Sequence, residues 1–294
     1  MKRLLLIMNP ASGTKKANPH LPEILSIFGQ ADYECIVRMT QKRGDAVEFT
    51  AVRGGEVDLI VCIGGDGTFN EVVTGAVSAG IKTPIGYIPA GSTNDFAASL
   101  GLPKNVIQAA QAIVAGRPQA FDVGRFRDRN FTYVASFGAF TKTSYATSQS
   151  VKNALGHLAY VLGGIAELSS IHRYHVAVTL DDGKREEGDY IFGAVSNSTS
   201  VGGILTLDPE IVDMNDGQFE LLLVKYPKNA AELAEVILSL TSQKYDSPSL
   251  LFRPARKLLV EADPGMDWTL DGEFAKGSER IEIENLHSAI NVMV

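Results

Sequence analysis

The sequence predicts a two-domain chain, an α/β domain with a mainly parallel sheet followed by a β-sandwich. Three observations carry this. Strand and helix patterns alternate through about residue 115. Within that stretch an apolar run at 57–63 is followed by Gly64, Gly65 and Gly67 and then by a helical pattern. Near Ala120 the pattern changes to one dominated by strands. Alternating strands and helices build parallel sheets with covered faces, whereas runs of strands build sandwiches.

Residues 4–8 read as the first strand, ended by the small polar turn Asn9-Pro10-Ala11-Ser12-Gly13-Thr14. Residues 22–28 are helical in spacing, and 34–39 form a second strand that ends at Thr40. Residues 45–53 form a helix stopped by Gly54-Gly55. The run 57–63, apolar except for Asp58, is of the kind a parallel strand covered on both faces needs. Residues 84–88 are a fourth strand, and 106–115 a helix ended by Gly116-Arg117-Pro118. Ligands of such sheets lie beyond the carboxyl ends of the strands. Asn9, Thr40, Gly64 and Ala90 all fall at strand ends.

In the second half, 121–126 and 131–137 read as a hairpin across Arg127-Asp128-Arg129-Asn130. Residues 160–170 are expected to be helical. Strands follow at 174–180, 190–197, 218–224 and 257–261, with Asp181-Asp182-Gly183 as a hairpin turn and one helix at 230–240. This half is the expected sandwich.

At 294 residues the chain is long enough for two cores. It is 45% hydrophobic and 21% charged, ordinary for a soluble globular protein. No stretch approaches the roughly 18 apolar residues that span a bilayer, and the N-terminal run reads as a strand rather than a signal peptide. Cys35 and Cys62 both fall in strands, which fits buried free thiols in a reducing cytosol better than a disulfide. A net charge of −7 argues against nucleic acid as a partner and against membrane anchoring by overall positive charge.

The most informative stretch is Gly64-Gly65-Asp66-Gly67-Thr68-Phe69-Asn70-Glu71. Glycines let a backbone approach a ligand closely. Thr68 is the expected cap of the following helix, and free N–H groups at a helix start suit a phosphate. Asp66 would repel a bare phosphate. It makes sense if it works through Mg²⁺ or if it orders the loop.

Gly64-Gly65-Asp66-Gly67-Thr68 resembles the nucleotide loop shared by lipid kinases, NAD kinases and phosphofructokinases. Asn70-Glu71-Val72 and Pro89-Ala90-Gly91-Ser92-Thr93-Asn94-Asp95-Phe96-Ala97 resemble the lipid-kinase branch, closest to the soluble bacterial diacylglycerol kinases or YegS-like lipid kinases. The likeness covers nearly the whole chain. It implies a Rossmann-like ATP-binding domain at 1–126, of the NAD kinase and phosphofructokinase kind. A β-sandwich lipid-substrate domain at 127–285 follows, and the last strand, about 286–294, returns to the first domain.

The resemblance also implies roles. Asn9, Pro10, Ala11, Ser12 and Gly13 lie against the nucleotide, with Thr40 on the adenine side. Gly64, Gly65, Asp66, Gly67, Thr68, Asn70, Glu71, Ser92, Thr93 and Asn94 complete the ATP site. Ser92 stands where relatives usually have threonine, and Ala98 near a place where they often have arginine. Asp66, Asp95 and Asp122 would join a water network reaching a catalytic Mg²⁺. A second Mg²⁺ would take the Asp216 side chain and the carbonyls of Asp213 and Gln218.

Leu270-Asp271-Gly272-Glu273 resembles the family's acceptor motif. If that segment is extended, Asp271 and Glu273 face the same way. Glu273 matches the family's proton acceptor, and Asp271 is its rival. The implied activity is ATP- and Mg²⁺-dependent phosphorylation of diacylglycerol or a related membrane lipid, by a cytoplasmic protein peripheral to the inner membrane surface. A homodimer stays open. So do two other readings: a NAD kinase or other soluble-substrate kinase, and a non-catalytic lipid-binding protein on a kinase scaffold.

Overall fold

The computed structural model describes residues 1–13, 17–138, 171–201, 205–207 and 212–294. They form two compact units: Met1–Val123 with His287–Val294, and Gly124–Leu286. The helix expected at 160–170 lies outside the described residues.

The first unit contains β1 (Lys2–Met8), α1 (Leu21–Gln30), β2 (Tyr33–Met39), α2 (Asp45–Arg53), β3 (Leu59–Gly64), α3 (Asp66–Ser78), β4 (Ile85–Pro89), α4 (Asp95–Ser99) and α5 (Val106–Ala115). Strand β5 (Pro118–Phe126) leads out of it, and β17 (Arg280–Met293) leads back. The sheet order is β2-β1-β3-β4-β17, and these pairs are parallel.

Every residue of β3 is buried, so both faces of the sheet are covered. On one face Leu4, Leu6, Met8, Val61, Ile63 and Ile88 pack with Ile24 and Phe28 of α1 and Ile113 of α5. Elsewhere Phe69 of α3 stacks between Tyr87 and Phe96, at centroid distances of 4.4 and 4.8 Å. The strand ends are tied to one another: Asn9 N–H donates to the Ile63 carbonyl, Thr40 N–H to Met8 and Ala90 N–H to Gly64.

One expectation at this edge is corrected. Thr68 does not cap α3; the helix starts at Asp66 with Gly65 as its N-cap, and Thr68 lies in its first turn. An acid at the first helical position suits the dipole, and the glycine accepts the extended geometry that precedes it.

The second unit adds β6 (Arg129–Phe131), β7 (Val134–Gly138), β8 (Tyr174–Leu180), β9 (Arg185–Ser196), a small pair β10 (Ser200–Val201) with β11 (Leu205–Thr206), and β12 (Phe219–Lys225). Then come α6 (Ala230–Thr241), β13 (Leu250–Ala255), β14 (Lys257–Ala262), β15 (Trp268–Leu270) and β16 (Glu273–Ala275). Within this unit the order is β16-β15-β7-β9-β8-β14-β17, with β12 also on β9 and β13 on β12. The outer half of β9 pairs β8, and its inner half lies between β7 and β12. Its core is aromatic: Trp268 packs between Phe126 and Phe137 at 5.1 and 4.9 Å, and Phe131 stacks on Phe219 at 5.5 Å.

The expected hairpin of 121–126 with 131–137 is shorter than predicted. Gly124, Arg125 and Phe126 pair with Phe131, Asn130 and Arg129. The chain then leaves β5, and β7 pairs with β9 and β15 instead. The break falls at Thr132-Tyr133, whose N–H groups are taken by a side chain from far along the sequence.

Candidate active site

In the first unit three loops converge at the carboxyl edge of the sheet. Asn9 forms a side-chain turn, its Oδ1 accepting Ala11 N–H at 3.0 Å while its Nδ2 donates to Thr68 Oγ1 at 3.1 Å. The first loop is thereby tied to the first turn of α3. Pro10 and Ser12 follow within the turn, Ser12 N–H reaching back to the Asn9 carbonyl. Gly13 has φ +52°, and a Cβ there would sit 2.4 Å from the Ala90 carbonyl oxygen. Gly65 and Gly91 touch backbone to backbone; a Cβ on Gly91 would lie 2.5 Å from the Gly65 Cα. Side chains are excluded at these contacts, so the cradle is built from main chain, as close approach to a phosphate requires.

Asp66 is the charged centre of this edge. It is 8% exposed. Its Oδ2 accepts Thr93 Oγ1 at 3.2 Å and Asp95 N–H at 3.1 Å, and its Oδ1 accepts Phe96 N–H at 3.3 Å. Burial, followed by the charge of Asp95, pushes its carboxyl up to about 6. Backbone and hydroxyl donors oppose that shift without cancelling it. A carboxylate held at such a cost beside a second acid, with acceptor capacity left on Oδ1, is the donor chemistry that Mg²⁺ and its waters fit. Among the described residues no group of three or more His, Cys, Asp or Glu side chains is arranged to hold a metal directly.

Several predicted contacts turn out to build the loops. Glu71 accepts Gly44 N–H at 2.9 Å and Ala46 N–H at 3.2 Å, so its carboxylate is spent on the start of α2. Asp45 accepts Gln41 and Lys42 N–H, which fixes the loop beginning at Thr40. Asn94, at φ +54°, accepts Gly91 N–H at 2.8 Å and donates to the Gly91 carbonyl at 3.0 Å. Its amide closes the loop that carries Ser92 and Thr93, both of which are exposed. Gly64 lies against Thr68, and Gly67 and Asn70 are half-buried on α3.

Asp122 is buried, and its Oδ1 accepts His287 Nδ1–H at 3.0 Å and Ser288 N–H at 2.7 Å. The structure thus joins Asp66 to Asp95 and gives Asp122 partners on the returning strand. His287 was not among the predicted residues; a lone histidine near the end of a sequence carries no local signal.

In the second unit the expectation for Asp271 is overturned. The segment is not extended. Leu270 pairs with Glu273 across a two-residue turn in which Asp271 and Gly272 have φ of +50° and +80°, the primed geometry of a tight hairpin. Asp271 points inward and is 7% exposed. Its carboxylate accepts Thr132 N–H at 2.6 Å, Thr132 Oγ1–H at 2.8 Å, Tyr133 N–H at 3.0 Å and Val134 N–H at 3.1 Å. With these donors on it Asp271 clamps the turn to residues 132–134, while burial pushes its carboxyl up against them. Glu273 is half-buried, its side chain 43% accessible and 3.5 Å from Arg129 Nη2.

The Asp213–Gln218 turn closes on itself: Asp213 Oδ1 accepts Asn215 N–H, Asp216 Oδ1 accepts Gln218 N–H, and the Gln218 carbonyl accepts Asn285 Nδ2–H at 2.9 Å. Beside it lies Glu220, buried, with an Oε2 that has no partner. Burial and then the charges of Asp216 and Asp213 push Glu220 up to about 8.

An α/β unit whose strand-end loops meet through glycines, joined to a β-sandwich-like unit, defines a phosphotransferase of the diacylglycerol kinase class. Residues 3–126 match the diacylglycerol kinase catalytic domain model, and residues 134–294 the YegS C-terminal NAD kinase β-sandwich-like domain model. The diacylglycerol kinase of Bacillus subtilis (strain 168) is 34% identical, covering 100% of this chain and 97% of that protein. The diacylglycerol kinase of Staphylococcus carnosus (strain TM300) is 31% identical, over 93% and 89%. A solved structure described as a diacylglycerol kinase from Bacillus anthracis str. Sterne shares the fold at a TM-score of 0.77 and 22% identity, over 99% of this chain and 96% of that one. The chain belongs to the diacylglycerol kinase catalytic-domain family and is a phosphotransferase of the lipid-kinase type.

Proposed function

We propose that the protein transfers the γ-phosphate of ATP to a hydroxyl of diacylglycerol or a closely related membrane lipid. The observation that carries this is the buried Asp66 at the convergence of three main-chain loops. Asn9–Gly13, Gly64–Thr68 and Ala90–Asn94 hold the nucleotide phosphates, and Thr40 faces the base. Mg²⁺, when bound, neutralises phosphate charge on the donor side. Asp66 and Asp95 orient its waters, and Asn94 and Glu71 keep the loops in register. Glu273 takes the proton of the acceptor hydroxyl as the oxygen attacks. Asp216, with the carbonyls of Asp213 and Gln218, serves a second cation that steadies its turn.

Among the described residues no helix is long and apolar enough to cross a membrane. We propose that contact with a bilayer substrate is peripheral and reversible, and a second copy of the chain is the partner to look for in solution. The test is incubation with labelled ATP, Mg²⁺ and a lipid extract, read by mass spectrometry of phosphorylated lipids. A labelled diacylglycerol supports the reading. Label found only on a soluble acceptor such as NAD, or no ATP consumption with any lipid, overturns it.

A further inference from the structure

The β15–β16 hairpin is held at two points by one short segment. At its tip, Thr132, Tyr133 and Val134 donate to Asp271. On its return strand the Arg129 guanidinium reaches both neighbours: Nη1 donates to the Phe274 carbonyl at 2.8 Å, and Nη2 lies 3.5 Å from Glu273 Oε2. Glu273 sits between the two anchors. Residues 129–134 therefore set both where the turn lies and which way the Glu273 carboxylate points.

Arg129 and Glu273 are 36% and 43% exposed, and an ion pair this open to water contributes little to stability. Its geometry is nevertheless specific. A planar fork satisfies a carbonyl and a carboxylate at once, which a lysine ammonium on a flexible stem does not do. A glutamate left to itself samples many rotamers, and each misplacement of a reacting group costs rate.

We propose that Arg129 is a positioning residue for phosphoryl transfer, fixing the Glu273 carboxylate through its simultaneous hold on the Phe274 carbonyl. The inference rests on Glu273 being the acceptor base and extends that reading to the residue that aims it.

The test is a double-mutant cycle with Arg129→Ala and Glu273→Gln, assayed with ATP and diacylglycerol vesicles. Arg129→Ala lowers kcat roughly tenfold to a hundredfold, leaves KM for ATP within about twofold, and adds no further loss in the Glu273→Gln background, because it acts through that side chain. Arg129→Gln keeps a polar side chain at this half-buried position but is too short to make either guanidinium contact. It shows the same kcat loss with wild-type melting, so the result does not depend on how well the alanine variant folds. Wild-type kcat in both Arg129 variants, or an equal further loss in the Glu273→Gln background, overturns the proposal while leaving Glu273 as the base. Wild-type kcat in Glu273→Gln alone removes the base assignment, and the role of Arg129 falls with it.

Discussion

The carboxylate of Asp66 accepts the backbone N–H of Asp95 at 3.1 Å. One acid of the candidate site thus caps the helix on which the other is the first residue. The N-cap position of that helix, Asn94, gives no side-chain cap of its own, since its amide closes the preceding loop. Asp66 has two uses at once: it fixes α4, and it places two acids where a hydrated cation would be held.

Replacing Asp66 separates these uses. Asp66→Asn keeps one acceptor for the α4 amides but turns a donor toward the other, at about 1–3 kcal/mol; it still folds, while phosphoryl transfer falls by about a hundredfold or more, the scale of losing one preorganised electrostatic contact. Asp66→Ala loses the cap as well, and its stability drops by a further 0.5–2 kcal/mol or thereabouts. Steady-state assays with melting curves check this. Turnover near wild type in Asp66→Asn rules out the role.

The raised carboxyl of Asp66 gives two pH effects of opposite sign. Its folded value of about 6 exceeds its ordinary 3.8, so its contribution to stability is complete below about 3.8 and is lost as pH rises through 6. Wild type therefore loses melting temperature relative to Asp66→Asn between about pH 4 and pH 6. Binding of Mg²⁺–nucleotide needs the ionised form and weakens as pH falls below about 6. A melting difference that stays flat across this window contradicts the burial argument.

Asp271 and Glu273 part company on mutation. Asp271→Asn replaces an acceptor oxygen by a donor facing backbone N–H groups, and each buried donor left unsatisfied costs about 1–3 kcal/mol. Its main effect is a large fall in unfolding free energy. Glu273→Gln, on a half-buried position whose side chain reaches water, melts like wild type and loses transfer by roughly a hundredfold to ten-thousandfold, the general-base range. Urea unfolding beside kcat distinguishes the two. The pattern is wrong if Asp271→Asn is fully stable and inactive.

Glu220 supplies a stability prediction away from the loops. With a folded value of about 8 against an ordinary 4.5, its contribution is complete below about 4.5 and is lost as pH rises through 8. Glu220→Gln mimics the protonated form, so its melting advantage over wild type grows from about pH 5 and levels off above pH 8. Equal melting at pH 9 shows that the side chain finds a partner or solvent that relieves its charge.

The first unit was legible because its signals are local. Residues 45–53 and 106–115 form helices with those bounds, and the glycine loop lies at a strand end. What misled was also local: threonine is a good cap in general, yet α3 begins two residues before Thr68. The Asp271 clamp could not be read at all, because its donors lie 137–139 residues away and nothing in Leu270-Asp271-Gly272-Glu273 names them. Asp-Gly between two short strands did carry a hairpin signal, and that signal removes the same-face argument for Asp271 and Glu273.

The return of β17 to the first unit has a consequence for the order of folding. Val292 pairs with Ile85, Val294 exchanges backbone hydrogen bonds with Arg117, and His287 and Ser288 supply the donors to buried Asp122. During translation none of these exists until residues 124–286 have left the ribosome, a delay on the order of ten seconds at usual elongation rates. The nascent first unit waits through that interval with the far side of β4 unpaired and the Asp122 carboxylate without those donors. Its completion is a late event, so a stalled or prematurely ended chain would expose an open sheet edge to chaperones and proteases.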